Sequence, residues 1–160
     1  MKLLTILDRS FFMKRILIIN YILMFCFSTG LLAQDIKKSN YFDNLNNEER
    51  RVIVEKGTER AWTGEYNKFF DKGLYVCRAC NNPLYNSNSK FKSNCGWPSF
   101  DDEISGSVIR INDYSLGMKR VEICCSNCKG HLGHVFEGEK LTKKDIRHCV
   151  NSISIRFISK

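Results

Sequence analysis

Two Cys-x-x-Cys sequences constrain the fold of this chain more than any other feature. The first runs from Cys77 to Cys80 and the second from Cys125 to Cys128, with residues 81–124 between them. Each sequence places two thiols on one side of a tight loop. Two such loops that face each other offer four soft ligands in the tetrahedral arrangement that zinc prefers. The spacing therefore predicts one structural zinc ion held by Cys77, Cys80, Cys125 and Cys128.

Other uses of these cysteines stay open at this level. Two disulfides would suit an oxidising compartment, although a Cys-x-x-Cys bridge closes a strained small ring. An iron–sulfur cluster also takes four thiolates. A local Cys₂His₂ site is a further alternative, because Cys125, Cys128, His131 and His134 lie three residues apart. That local site would leave the first Cys-x-x-Cys pair without a role.

The amino terminus predicts a targeting segment ahead of one folded domain. Residues 16–33 are apolar, follow Lys14 and Arg15, and end at Ala33, which is the pattern of a secretory signal or a membrane anchor. We therefore expect residues 1–33 to be a signal peptide or anchor, residues 34–43 a linker and residues 44–160 the domain. The expected location is outside the cytoplasm: periplasmic, secreted, or attached to a membrane through this leader alone.

The charge pattern argues against a nucleic-acid partner. The formal net charge is +8, but no run of five basic residues occurs, and acidic residues are interleaved with the basic ones. A nucleic-acid-binding face normally concentrates lysine and arginine in a patch or stripe. We expect no nucleic-acid partner.

The remaining sequence predicts a mainly β domain with one short helix near its start. Residues 44–56 form the helix, with Asn46 and Glu49 as its amino-terminal cap and Gly57 at its end. Short runs rich in Val, Ile, Tyr and Phe then recur between Gly, Asn, Asp and Ser clusters, as in antiparallel strands. The last run alternates, which predicts Ile153, Ile155 and Phe157 on one face and Ser152, Ser154 and Arg156 on the other.

Two further cysteines carry the strongest signal for chemistry. Cys95 lies in a Cys-Gly-Trp-Pro-Ser-Phe segment, and Cys149 lies in Arg-His-Cys-Val-Asn-Ser. All three histidines fall within residues 131–148, and cationic neighbours lower the pKa of a thiol and make it nucleophilic. A structural Cys95–Cys149 disulfide is an equal alternative on spacing alone. Cys124 fits neither role, and the Gly-Trp-Pro turn favours an indole of Trp97 that is open to a ligand.

Several motifs in one order resemble the B-type methionine sulfoxide reductases, which are specific for the R epimer. The resemblance covers residues 44–158. Its motifs are Gly57-Thr58-Glu59, Thr63-Gly64-Glu65-Tyr66, both Cys-x-x-Cys sequences, Cys95-Gly96-Trp97-Pro98-Ser99-Phe100, His131-Leu132-Gly133-His134-Val135-Phe136 and Arg147-His148-Cys149-Val150-Asn151-Ser152.

The resemblance implies a fold, a reaction and a set of site residues. The implied fold has two antiparallel sheets in a tent-like arrangement, a short amino-terminal helix and a structural zinc site. Cys149 would be the nucleophile, Cys95 the resolving cysteine, and Trp97 the wall against the substrate's S-methyl group. Four more residues would act at or around the sulfoxide oxygen: His131, His134, Asn151 and Arg147.

The implied activity is thiol-dependent reduction of peptide-bound L-methionine (R)-S-oxide. It would pass through a Cys149 sulfenic acid and a Cys149–Cys95 disulfide that a thioredoxin-like reductant resets. Oxidised proteins that carry methionine sulfoxide would be the substrates, in repair after oxidative stress. The alternatives are a non-catalytic zinc-ribbon binding module and a disulfide-stapled structural protein. The zinc-ribbon module leaves Cys95, Trp97 and Cys149 without a purpose, whereas the disulfide-stapled protein predicts about three bridges and no metal.

The sequence departs from the family pattern between the His-Leu-Gly-His-Val-Phe run and Cys149. An acidic residue in this loop assists some relatives, and here both Glu137 and Glu139 are candidates. His148 stands where the family often has tyrosine, so we assign His148 no catalytic role.

Overall fold

The computed structural model describes residues 41–159. The predicted leader, residues 1–33, and residues 34–40 of the predicted linker lie outside the described part, so these boundaries stay predictions. Within residues 41–159, no helix is long and apolar enough to cross a membrane.

One helix, α1, covers Asn47–Ile53. Its predicted cap is confirmed: the Asn46 side chain accepts a hydrogen bond from the Glu49 amide, and the Glu49 carboxylate accepts one from the Asn46 amide. The helix is shorter than residues 44–56, because Val54 already forms its carboxyl-terminal cap. The Gly57 amide donates to the carbonyl of Arg51 and closes the end of this segment.

The domain is mainly β, as predicted, with nine strands in two antiparallel sheets. The smaller sheet has the order β2-β1-β9, and the larger sheet has the order β3-β4-β8-β7-β6-β5. The strands are β1 Gly73–Cys77, β2 Pro83–Asn86, β3 Lys90–Phe91, β4 Ser99–Phe100, β5 Val108–Asp113, β6 Arg120–Cys125, β7 His131–Glu137, β8 Ile146–Val150 and β9 Ile155–Ser159.

The larger sheet separates an apolar face from a polar face that carries Cys149. Side chains that are paired across antiparallel strands project to the same side. Cys149 on β8 pairs with Ser99 on β4 and with His134 on β7, and His134 pairs with Glu122 on β6. These polar side chains therefore share one face. The next residues along, including the fully buried Ile123 and Val150, point into the core.

A β-bulge brings both histidines of β7 to the polar face. Residues three apart on a regular strand point to opposite sides. Here Cys124 pairs with His131 and Ile123 pairs with Gly133, so Leu132 is the extra residue. The His131 and His134 rings are consequently 5.5 Å apart between centroids.

The predicted alternation at the carboxyl end is wrong for its first part. Ser152–Ser154 form a 3₁₀ turn, and only Ile155–Ser159 form a strand. Ser152 and Ser154 are buried rather than on a solvent face. The Ser152 hydroxyl accepts a hydrogen bond from the Tyr66 amide, and its own amide donates to Glu59. These distant partners override the local alternating pattern.

Candidate functional site

The two Cys-x-x-Cys loops meet, and their four sulfurs form one cluster. The Sγ atoms of Cys77, Cys80, Cys125 and Cys128 all lie within 4.8 Å of one another. The Cys77–Cys128 and Cys80–Cys125 Sγ distances are both 3.6 Å. A tetrahedral ion with metal–sulfur bonds of about 2.3 Å needs sulfurs about 3.8 Å apart. The donor set therefore fits a metal such as zinc, with all four positions filled by protein.

This cluster connects the two sheets. Cys77 ends β1 of the smaller sheet, and Cys125 ends β6 of the larger one. The alternative Cys₂His₂ site does not form. His131 Nδ1 lies 2.8 Å from Glu122 Oε1, and His134 Nε2 lies 2.8 Å from Asp113 Oδ2. Both histidines are thus engaged by carboxylates instead of by Cys125 and Cys128.

Cys95 and Cys149 form a second thiol site, with their Sγ atoms 3.7 Å apart. β8 holds Cys149 between Ser99 and His134. The Ser93 hydroxyl donates to Cys95 Sγ at 3.1 Å, and Ser99 Oγ lies 3.5 Å from the same sulfur. At this distance, a disulfide needs only a small approach of the two sulfurs. Both cysteines are only partly buried, so they are accessible to solvent.

The hydrogen bond between these two thiols shifts their pKa values in opposite directions. It holds the pKa of Cys95 well below its usual range, at about 4, with help from Ser93 and Ser99. The same bond raises the pKa of Cys149, and burial adds to that rise. Arg147 acts in the opposite direction and favours the Cys149 thiolate. Contact with Cys95 thus disfavours the Cys149 thiolate, whereas Arg147 favours it.

Glu139, and not Glu137, engages Arg147. The carboxylate of Glu139 accepts two hydrogen bonds from the guanidinium, at 2.6 and 2.8 Å. This pairing raises the pKa of Arg147 further. The guanidinium carbon also lies 4.5 Å from the ring centroid of Phe136. Arg147 is therefore fixed from two sides, next to the strand position of Cys149.

A cavity of about 140 Å³ opens at Cys149. We call it the reaction cavity. It brings together four of the residues predicted for the site, namely Trp97, His134, Cys149 and Asn151. His131, Arg147 and Cys95 do not line it. Four lining residues were not predicted from the sequence: Thr58, Arg120, Gly133 and Phe136.

Asp113 and Arg120 complete a charged chain behind His134. The Asp113 carboxylate contacts His134 Nε2, and it accepts a 2.8 Å hydrogen bond from Arg120 Nη2. Hydrogen bonds from Ser115 and His134 lower the pKa of Asp113, so the group facing His134 is a carboxylate. Asp113 ends β5 and Arg120 begins β6. Opposite charges on either side of a turn could have suggested this ion pair, but not its contact with His134.

Glu122 organises a second, buried group around His131. Its carboxylate accepts from Lys56 Nζ at 2.8 Å and contacts His131 Nδ1 at 2.8 Å. Cys124 also bonds Glu122, and burial raises the pKa of that thiol to about 12. Cys124 is therefore a buried, protonated thiol. A charged residue inside the run Val-Glu-Ile-Cys-Cys was the sequence signal, because a buried carboxylate needs partners.

Glu59 connects Trp97 to the segment after Cys149. The Trp97 indole donates to the carbonyl of Glu59, and the Glu59 amide donates to Asn151 Oδ1. The Glu59 carboxylate accepts hydrogen bonds from the amides of Ser152 and Ile153. Glu59 thus fixes Trp97 and Asn151 relative to each other.

Gly133 allows β7 and β8 to approach closely at the reaction cavity. Its φ is +155°, and a Cβ at this position would collide with the carbonyl oxygen of Cys149. His148, by contrast, points into the core. Its Nδ1 lies 3.1 Å from the Tyr85 hydroxyl, its Nε2 lies 3.1 Å from Arg110, and burial lowers its pKa to about 4.

Comparison with known proteins gives one consistent result. A family model described as the SelR domain matches residues 45–159. Peptide methionine sulfoxide reductase B2, chloroplastic, of Arabidopsis thaliana is 53% identical over 71% of this chain and 55% of its own length. Peptide methionine sulfoxide reductase B9 of the same plant is 52% identical over 81% of this chain and 89% of its own length. Peptide methionine sulfoxide reductase B5 of Oryza sativa subsp. japonica is 52% identical over 71% of this chain and 82% of its own length.

The prediction that the protein is exported is wrong. Relatives that share about half of their aligned residues with this chain include proteins named as chloroplastic in both plants. An apolar run behind basic residues is a short compositional pattern, so it did not identify a destination.

Proposed function

Because the chain belongs to the SelR domain family, we propose that it is a peptide methionine sulfoxide reductase of the B type. Its substrate is peptide-bound L-methionine (R)-S-oxide, and its role is protein repair after oxidation. One observation carries this proposal. Cys149 lines a cavity together with Trp97 and His134, and a second thiol, Cys95, lies 3.7 Å from it. A nucleophile, an acid, an apolar wall and a resolving thiol are thus available in one place.

Reduction begins at the sulfoxide sulfur. The Cys149 thiolate attacks this sulfur, while His134 protonates the oxygen, which is otherwise a poor leaving group. Asp113 holds Nε2 of His134, so Nδ1 is the atom that remains for the proton transfer. The new bond joins the two sulfurs, and the protonated oxygen leaves as water. That water attacks the Cys149 sulfur, and the S–S bond breaks with its electron pair on the substrate sulfur, which leaves as methionine. Cys149 has then lost two electrons and is a sulfenic acid.

Regeneration uses the second thiol. The Cys95 thiolate attacks the sulfenic sulfur, the S–O bond breaks, and the hydroxide leaves as water after protonation. Hydrogen bonds from Ser93 and Ser99 favour the Cys95 thiolate. A thioredoxin-like dithiol then exchanges with the Cys95–Cys149 disulfide and restores both thiols.

Other residues orient the substrate and support the acid. Trp97 and Phe136 give the cavity an apolar surface for the S-methyl group. Asn151 lines the same cavity, and Arg147 stabilises the Cys149 thiolate. His131 lies next to His134, where the Glu122 carboxylate fixes its ring. We propose that His131 orients His134 and contributes to the proton supply.

The Cys₄ cluster holds zinc in this proposal. Zinc supplies no catalytic chemistry there, since four thiolates leave no position for water or substrate. Cys77 and Cys80 on one side and Cys125 and Cys128 on the other join the two sheets that carry the site.

An epimer-resolved assay tests the proposed reaction. With dithiothreitol as reductant, the protein should reduce N-acetyl-methionine (R)-sulfoxide and leave the S epimer untouched. Cys149→Ser should abolish turnover. Cys95→Ser should retain a single turnover but lose recycling by a thioredoxin. No turnover by folded, metal-loaded wild-type protein would instead favour the non-catalytic zinc-ribbon module.

A further inference from the structure

A second cavity, of about 280 Å³, shares Trp97 as a wall with the reaction cavity. We call it the Trp97 groove. It also contacts the residues around the resolving thiol, since Ser93 lines it and donates a hydrogen bond to Cys95. Its lining includes four aromatic residues and two lysines, namely Trp62, Phe70, Phe91, Trp97, Lys68 and Lys92.

Trp62 is held towards solvent against its own conformational preference. The side chain is 58% exposed, and its backbone φ is +71°, a region that disfavours residues with a Cβ. The Trp62 amide donates to the carbonyl of Gly96 at 2.8 Å, which fixes this conformation. An exposed aromatic residue in a strained backbone is a feature of binding sites, because burial of the ring is then left for a ligand.

The groove also carries positive charge without a partner. Among residues 41–159, Lys68, Lys90 and Lys92 form no ion pair, unlike Lys56 and Lys144. Lys90 is only 8% exposed, and its Nζ has no hydrogen-bond partner. That Nζ lies 4.0 Å from the centroid of the Phe70 ring, a wall of the groove. Lys90 does not itself line the groove, and burial lowers its pKa to about 8. An anion bound beside Lys68, Lys92 and the Phe70 ring would offset the cost of its buried charge.

We propose that the Trp97 groove binds an acidic segment of the same polypeptide whose methionine sulfoxide enters the reaction cavity. This inference rests on the proposed reductase function. An extended chain that crosses Trp97 would place the sulfoxide on one side of the indole and its neighbouring residues on the other. Carboxylates would meet Lys68 and Lys92, and apolar atoms would cover Trp62. The preferred substrate is therefore a methionine sulfoxide with acidic residues close to it in sequence.

Matched peptides test the proposal directly. Each peptide carries one central methionine (R)-sulfoxide, flanked on both sides either by glutamates or by lysines. With dithiothreitol as reductant, we expect the acidic peptide to have a kcat/KM about tenfold higher. The difference should shrink at high ionic strength, because near 1 M salt the screening length falls to about 3 Å. N-acetyl-methionine (R)-sulfoxide is the reference substrate, since it has no flanking residues.

Charge reversals separate the groove from the overall positive charge of the protein. Lys68→Glu and Lys92→Glu should remove the preference for the acidic peptide and leave turnover of the reference substrate unchanged. Lys143→Glu makes the same change at an exposed lysine outside the groove and should keep the preference. Trp62→Ala should weaken both peptides and spare the reference substrate.

Three results would overturn the inference. Equal kcat/KM for both peptides would mean that the groove contacts no flanking residue. An equal loss of preference in Lys143→Glu would assign it to net charge alone. If Trp62→Ala changes only the dependence on thioredoxin concentration, or only self-association in solution, the groove binds the reductant or a second copy. If the wild-type protein does not reduce N-acetyl-methionine (R)-sulfoxide at all, the proposed function itself is contradicted.

Discussion

The domain contains two thiol sites that differ in what surrounds them. The Cys₄ cluster joins two sheets, and its sulfurs mainly contact one another. The Cys95–Cys149 pair lies within the larger sheet and its adjoining loop, and it is surrounded by hydroxyl groups, Arg147 and a cavity. Four mutually close thiols suit a metal, whereas two thiols with polar partners and solvent access suit exchange chemistry. The same residue type thus serves structure or reaction according to its neighbours.

Metal removal should produce the largest difference between these sites. A structural zinc ion contributes on the order of 10 kcal/mol of apparent folding free energy, as much as a typical domain's whole stability. A strong chelator, or Cys77→Ser, should therefore abolish the cooperative thermal transition measured by circular dichroism. Cys149→Ser is the matched control and should leave the transition nearly unchanged. A chelated protein that keeps its Tm would show that the Cys₄ cluster is not a structural metal site.

The two sites also differed in how far the sequence predicted them. The Cys₄ cluster was predictable because each Cys-x-x-Cys pair is local in sequence and only the meeting of the two pairs is tertiary. Local sequence had singled out Cys149 and Trp97, and the family resemblance supplied the roles expected of them and of His134. Asp113 and Arg120 were missed, because their contact with His134 depends on the register of three strands. The bulge at Leu132, which puts both histidines on one face, was also missed, although Gly133 within the strand was a local sign of an irregularity.

The core side of β8 should produce a measurable acid sensitivity through His148. Burial lowers the pKa of His148 to about 4, against 6.5 for an ordinary histidine. The unfolded chain therefore binds more protons than the native one between these two values. This contribution to stability is fully present above pH 6.5 and is lost as the pH falls to about 4.

His148→Tyr tests this effect, since tyrosine cannot take up a proton in that range. The wild-type free energy of unfolding should fall by about 2 kcal/mol more than that of the variant between pH 6.5 and 4. Urea denaturation at several pH values measures it. Parallel pH profiles for the two proteins would show that His148 is not held neutral, and the variant's stability at pH 7 reports whether the ring is accommodated.

On the opposite face of the same strand, Arg147 and Cys149 are neighbours, and Glu139→Gln should lower kcat a few fold. The variant keeps the shape of the side chain but weakens the two charge-assisted hydrogen bonds that fix Arg147. Glu137→Gln is the matched control, because within residues 41–159 no hydrogen bond or ion pair joins Glu137 to Arg147. Steady-state turnover of N-acetyl-methionine (R)-sulfoxide measures both variants. Equal effects from the two substitutions would contradict the assignment of Glu139.

The smallest expected effect concerns how one thiol controls the other. In the Cys₄ cluster, removing a thiol removes a ligand, whereas in the reaction pair it should make the remaining thiol more acidic. Cys95→Ala takes away the hydrogen bond that chiefly raises the pKa of Cys149, and it leaves Arg147 in place. The rate of alkylation of Cys149 by iodoacetamide should therefore rise at a lower pH in Cys95→Ala than in wild type. Mass spectrometry of the Cys149 peptide separates this reaction from alkylation elsewhere. An unchanged pH profile would mean that the 3.7 Å contact between the two sulfurs does not govern the acidity of the nucleophile.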